Sequence, residues 1–72
     1  MAKERVETSA GPVWVEDQQR TGDMRVWWPY GARVGEFAVE VLSGRARWDP
    51  STKGWYVSPK HRDHVYEELT SI

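Results

Sequence analysis

The sequence predicts a small α+β domain: an antiparallel sheet of three to four strands with two helices packed on one face, in the order β-β-α-β-β-α. Two patterns carry this reading. Apolar and polar residues alternate in short runs at Pro12–Glu16, Met24–Trp28, Arg45–Asp49 and Trp55–Val57, which is the period of a half-buried strand. Between the second and third runs, Val34, Phe37, Ala38, Val41 and Leu42 fall at i, i+3, i+4, i+7 and i+8, the spacing of one buried helical stripe.

The elements follow in order. Residues 1–11 show no apolar period and end in Ala10-Gly11, so they are expected to form a flexible tail. Residues 12–72 are expected to form a single domain. In the run Pro12–Glu16, Val13 and Val15 share one face and Trp14 takes the other. Pro12 lacks an N–H and suits an edge position. The polar stretch Asp17–Asp23 is a connection. Met24, Val26 and Trp28 then alternate with Arg25 and Trp27 until Pro29-Tyr30-Gly31 ends the strand. A helix is expected from about Ala32 to Ser43, with Gly44 as its stop. Gly35 inside it costs about 1 kcal/mol relative to Ala, which marks either a close approach or a weak first turn.

Ala46 and Trp48 alternate with Arg45 and Arg47 in the next strand, and Trp55 and Val57 share a face in the strand after it. Asp49-Pro50-Ser51-Thr52-Lys53-Gly54 between them is turn chemistry, with Pro fixing one dihedral and Gly accepting positive φ. Ser58 and Pro59 have the N-cap and first-position signature of a second helix. Its stripe is Val65, Leu69 and Ile72, with His61 one turn ahead. Trp48 and Trp55 are expected to join Val26 or Trp28 under Phe37, Leu42, Val65 and Leu69. The opposite sheet face is expected to carry Arg45, Arg47 and Tyr56, with Arg25 and Trp27 joining them if the register holds. Trp27 and Trp28 are adjacent and must point oppositely; the pattern leaves open which ring is outside.

Composition narrows the function. The chain has 72 residues, no Cys and five Trp. Absence of Cys excludes disulfides, thiolate zinc sites and Cys nucleophiles. The apolar runs are far short of the roughly 20 residues of a spanning helix, and Met1-Ala2-Lys3-Glu4-Arg5 is not a secretory signal. The expected location is the cytoplasm, with no membrane partner. Net charge is -1 overall, but it is −2 over residues 1–19, +4 over 20–62 and −3 over 63–72. A basic middle rich in Arg suits contact with phosphate.

The hairpin Arg47-Trp48-Asp49-Pro50-Ser51-Thr52-Lys53-Gly54-Trp55-Tyr56-Val57 resembles the R-W-D-x-x-x-K-x-W-x-V hairpin of HARP domains, the accessory modules of annealing helicases. A similar string occurs in small domains of bacterial and phage DNA-processing proteins. The resemblance covers roughly residues 24–70, including the strand before the first helix and the second helix. The segment Pro12–Asp23 has no counterpart in it. What the resemblance implies is binding to forked or single-stranded DNA without any ATP-driven step.

The residues expected to do this are Arg25, Arg45, Arg47 and Lys53 on phosphates, with Tyr56 and Trp27 stacking on bases. The alternative is a protein-binding module, such as a phage or mobile-element inhibitor or adaptor of a host protein. In that case an exposed Trp and the acidic pairs Glu16-Asp17 or Glu67-Glu68 would carry the contact. The protein is expected to be a monomer or a weak homodimer paired through an edge strand. His61-Arg62-Asp63-His64 lacks a third strong ligand nearby, so no metal and no cofactor are expected. No carboxylate pair, Ser or Gly-rich loop has a partner constellation, and an enzyme is not expected.

Overall fold

A computed structural model describes residues 3–72. It is a five-stranded antiparallel sheet with two helices, one strand more than the sequence suggests. The strands are β1 (Lys3–Thr8), β2 (Gly11–Asp17), β3 (Met24–Trp27), β4 (Ala46–Asp49) and β5 (Gly54–Val57). The helices are α1 (Val34–Leu42) and α2 (Pro59–Thr70). Sheet order is β1-β2-β3-β5-β4. No helix among the described residues is long and apolar enough to cross a membrane.

The additional strand is β1, which replaces most of the expected flexible tail; residues 1 and 2 lie outside the described residues. β1 pairs with β2 through a turn at Ser9 and Ala10, with Thr8 opposite Gly11. The Thr8 hydroxyl donates to the Gly11 carbonyl at 2.6 Å and accepts from the Ala10 amide at 3.1 Å. Gly11 sits at φ +125, a conformation that L side chains rarely adopt. β2 is consequently an interior strand, paired with β1 on one side and β3 on the other. The edge position expected for Pro12 is therefore corrected: Pro12 sits near the strand start, where a missing donor is tolerated, and the sheet edges are β1 and β4.

Val6, Val13, Val15, Met24, Val26 and Val57 point to one face and meet Val34, Ala38 and Leu42 of α1 and Val65 and Leu69 of α2. The faces of β2, β3 and β5 are as the alternation predicts, with Val15 beside Val26, and Val26 beside Trp55. Two expected core residues are outside. Phe37 is 39% and Trp48 47% exposed. For Phe37 the reason is helix rotation. The buried stripe of α1 runs through Val34, Ala38 and Leu42 and includes Gly35, which turns Phe37 to the rim beneath the Arg33 guanidinium, 5.9 Å away. For Trp48 the reason is reach, because the helices pack chiefly over β1, β2 and β5.

Gly35 is a close approach. A Cβ there would lie 2.5 Å from Trp28 Nε1, so the ring of Trp28 packs directly on the α1 backbone. Trp28 therefore lies on the helix side and Trp27 on the opposite face. In the β4–β5 turn the positive φ falls on Lys53 (φ 55), not on Gly54. At Gly54 the Arg25 side chain lies close over the backbone: a Cβ there would come within 2.6 Å of Arg25 Nε, and the arginine would have to shift.

Candidate functional site

The sheet face away from the helices is built of cross-strand rows. Lys3, Glu16, Arg25, Tyr56 and Arg47 stand opposite one another across all five strands. One step along, Arg5, Trp14 and Trp27 form a second row. Cations and aromatic rings are interleaved so that each of these cations lies against a ring. Arg25 is 4.2 Å from the Trp27 ring centre and Lys3 is 6.0 Å from it; Arg5 is 5.6 Å from Trp14, and Arg47 5.6 Å from Tyr56. Glu7, Glu16 and Asp49 share the face, and Glu7 pairs with Arg5.

Of the residues expected here, Arg25, Trp27, Arg47 and Tyr56 are brought together. Thr52 of the β4–β5 turn ties two of them down. Its carbonyl accepts from Arg25 Nη2 at 2.7 Å and its Oγ1 accepts from the Tyr56 hydroxyl at 3.1 Å. Lys53 stands on the turn, exposed, next to the face but not in its rows.

Arg45 is elsewhere, and its place among the site residues is corrected. Its amide closes the end of α1 on the Leu42 carbonyl at 2.9 Å, so the strand alternation begins only at Ala46. The Arg45 guanidinium turns to the helices, donating to the Val41 carbonyl at 3.4 Å and the Glu68 carboxylate at 2.9 Å.

Three residues of the face were not expected: Trp14, Lys3 and Arg5. The alternation in β2 does point Trp14 away from Val13 and Val15, but only the β2–β3 pairing sets it beside Trp27. Lys3 and Arg5 lie on the strand that the sequence disguises as a tail.

Asp49 is held by the Ser51 hydroxyl at 2.7 Å and the Ser51 amide at 2.9 Å. These hydrogen bonds hold its carboxyl below the ordinary carboxylate value.

At the Trp27 end of β3 an open cleft of about 1010 Å³ adjoins this face. Trp28, Trp48 and Trp55 form its apolar wall, Tyr30 stands at its rim fully exposed, and Arg25 and Lys53 border it. The Trp48 and Trp55 ring centres are 5.4 Å apart with planes inclined by 56°. Its lining contains no carboxylate. On the other side of the face, the β2–β3 loop brings Arg20 to a smaller polar groove of about 480 Å³ beside Arg47 and Tyr56.

The histidines of α2 do not gather ligands. His64 faces the Glu68 carboxylate at 2.6 Å, and among the described residues no group of three or more His, Cys, Asp or Glu lies together.

Set against protein-family models, curated proteins and solved structures, the chain matches none.

Proposed function

We propose that the protein is a non-catalytic nucleic-acid-binding accessory module that takes single-stranded or branched DNA on its open sheet face. The observation that carries this reading is the pair of cross-strand rows that bring Lys3, Arg5, Arg25 and Arg47 together with Trp14, Trp27 and Tyr56, around Glu16. Cations meet the phosphate backbone and rings stack on bases, and neither contact needs a particular sequence. The resemblance of the β4–β5 hairpin to HARP domains supports the same reading and supplies the preference for unpaired or forked DNA.

The energetics favour exchange. In the free protein the cations rest on the rings, an arrangement worth about 0.5–1 kcal/mol at exposed sites. A stacked base contributes about 1–3 kcal/mol, and each released cation gains a phosphate. A bound strand that stacks on the rings draws the cations toward its phosphates, Arg5 giving up Glu7 and Arg25 its Thr52 carbonyl. Counterion release makes the affinity salt-dependent, with a log–log slope of about −0.7 per phosphate contact on a single strand. Four contacts give a slope of about −3.

The test is a titration of intrinsic Trp fluorescence with single-stranded, duplex and forked oligonucleotides at low and physiological salt. Saturable binding that weakens with salt and favours unpaired or forked DNA is the expected result. No binding at low salt would sink the reading.

A second reading, a protein-binding module, has one observation in its favour. Glu7, Glu16 and Asp49 stand among the four cations, which leaves the face close to neutral and suits a partner of mixed charge. Salt-insensitive association with a protein, together with no response to oligonucleotides, would favour it.

A further inference from the structure

The cleft adjoins the rows at Arg25 and Trp27 but is lined mostly by other residues. Trp48 is 47% exposed although its neighbour across the hairpin, Trp55, is half-buried. Trp28 packs its ring against Gly35 and forms another part of the same wall. Indole surface left wet at one end of a small sheet is available for contact.

The border of the cleft defines the ligand. Arg25 and Lys53 are the charged residues that line it, and no carboxylate does. A cationic guest, such as a quaternary ammonium held in an aromatic cage, would be repelled by that border. A flat ring joined to an anion fits both halves of the lining. The cleft, of about 1010 Å³ and open to solvent, is large enough for a single nucleotide. The cleft is also continuous with the rows, since Arg25 and Trp27 belong to both.

We propose that the cleft takes one unstacked nucleotide of the bound strand, its base against Trp48 and Trp55 and its phosphate toward Arg25 and Lys53. This inference rests on the nucleic-acid reading of the sheet face. It adds a pocket that a continuous duplex cannot fill, because a paired base must leave the stack to enter it. That is a physical source for preference toward unpaired ends and forks.

The test is photo-crosslinking of the wild-type protein to oligothymidylates of about a dozen nucleotides. One thymine is replaced by 5-iodouracil at the 5′ end, the middle or the 3′ end, and the adduct is mapped by mass spectrometry. Crosslinks at Trp48 or Trp55 are expected. Trp48→Ala is expected to weaken binding roughly five- to a hundredfold, while Trp48→Phe, which keeps a stacking face, stays near wild type. Crosslinks confined to Trp14, Trp27 or Tyr56, with Trp48→Ala binding unchanged, would overturn the cleft and leave the sheet face standing. No saturable binding of any oligonucleotide would overturn both.

Discussion

Arg62 at the start of α2 grips Asp17 at the end of β2 through two parallel hydrogen bonds, Nε to Oδ1 and Nη2 to Oδ2, each 2.7 Å. The pair fastens the second helix to an interior strand and fixes where the β2–β3 loop departs. Asp17 pushes the Arg62 guanidinium above its ordinary value. Both side chains are partly exposed, at 35% and 55%, so solvent and salt reduce what the pair contributes.

Asp17→Ala is expected to destabilise the fold by no more than about 1 kcal/mol, the upper part of the range for exposed pairs because the contact is bidentate. Arg62→Lys cannot reproduce the fork and is expected to lose most of the same amount. Urea denaturation at low and high salt checks this; the effect should shrink as salt rises.

Gly35→Ala sets two effects against each other. Ala favours helix by up to about 1 kcal/mol over Gly. The new methyl, however, would lie 2.5 Å from Trp28 Nε1, and overpacking of this kind costs about 1–3 kcal/mol. The net expectation is loss of stability. In a Trp28→Ala background the clash disappears and the sign should reverse. A double-mutant cycle by chemical denaturation reads this directly; destabilisation of equal size in both backgrounds would contradict the packing argument.

Lys53 holds a left-handed conformation at φ 55. A residue with a Cβ is disfavoured there by about 1 kcal/mol relative to Gly. Lys53→Gly is therefore expected to raise the melting temperature while weakening oligonucleotide binding and reducing its salt slope. A variant that is less stable than the wild type would refute the strain assigned to the turn.

Stability should fall at both ends of the pH scale for reasons that separate by mutation. The Tyr66 hydroxyl donates to the Glu4 carboxylate at 2.6 Å, and that hydrogen bond raises the Tyr66 pKa above its ordinary 10.0. Since the folded value lies above the unfolded one, the contribution is complete below pH 10.0 and is lost as pH climbs through the folded value. Asp49 behaves oppositely. Hydrogen bonds from Ser51 lower its pKa below 3.8, so its contribution is complete above that value and is lost as pH falls further. Tyr66→Phe should flatten the alkaline limb of a stability–pH curve, and Ser51→Ala the acid limb.

The legible parts of the fold were those in which one face buries and the other does not. β3, β5 and α2 follow their apolar period closely, and α1 keeps Val34, Ala38 and Leu42 inside while turning Phe37 outward. β1 was hidden because Val6 is its only buried side chain; Lys3, Glu4, Arg5 and Glu7 surround it with charge, and no period survives. At the site, Arg25, Arg47, Trp27 and Tyr56 were readable from alternation alone. Arg45 was misplaced because alternation was extended one residue too far, into the turn that closes α1. Trp14 was set on the correct side of its strand, yet which strand lies beside it is a long-range pairing that local pattern does not encode.

The lone apolar anchor of β1 has a dynamic consequence. An edge strand whose one buried side chain is Val6, tied to α2 otherwise by the exposed Glu4–Tyr66 hydrogen bond, can peel from β2 without unfolding the rest of the sheet, and such local opening is seen as fast amide exchange. Each opening would carry Lys3 and Arg5 away together. A ligand that engages them must hold β1 closed, so binding and the retention of this strand are one linked equilibrium. Slowed exchange of the Glu4 and Val6 amides, which face β2, on addition of an oligonucleotide would make the edge of the sheet its own reporter of occupancy.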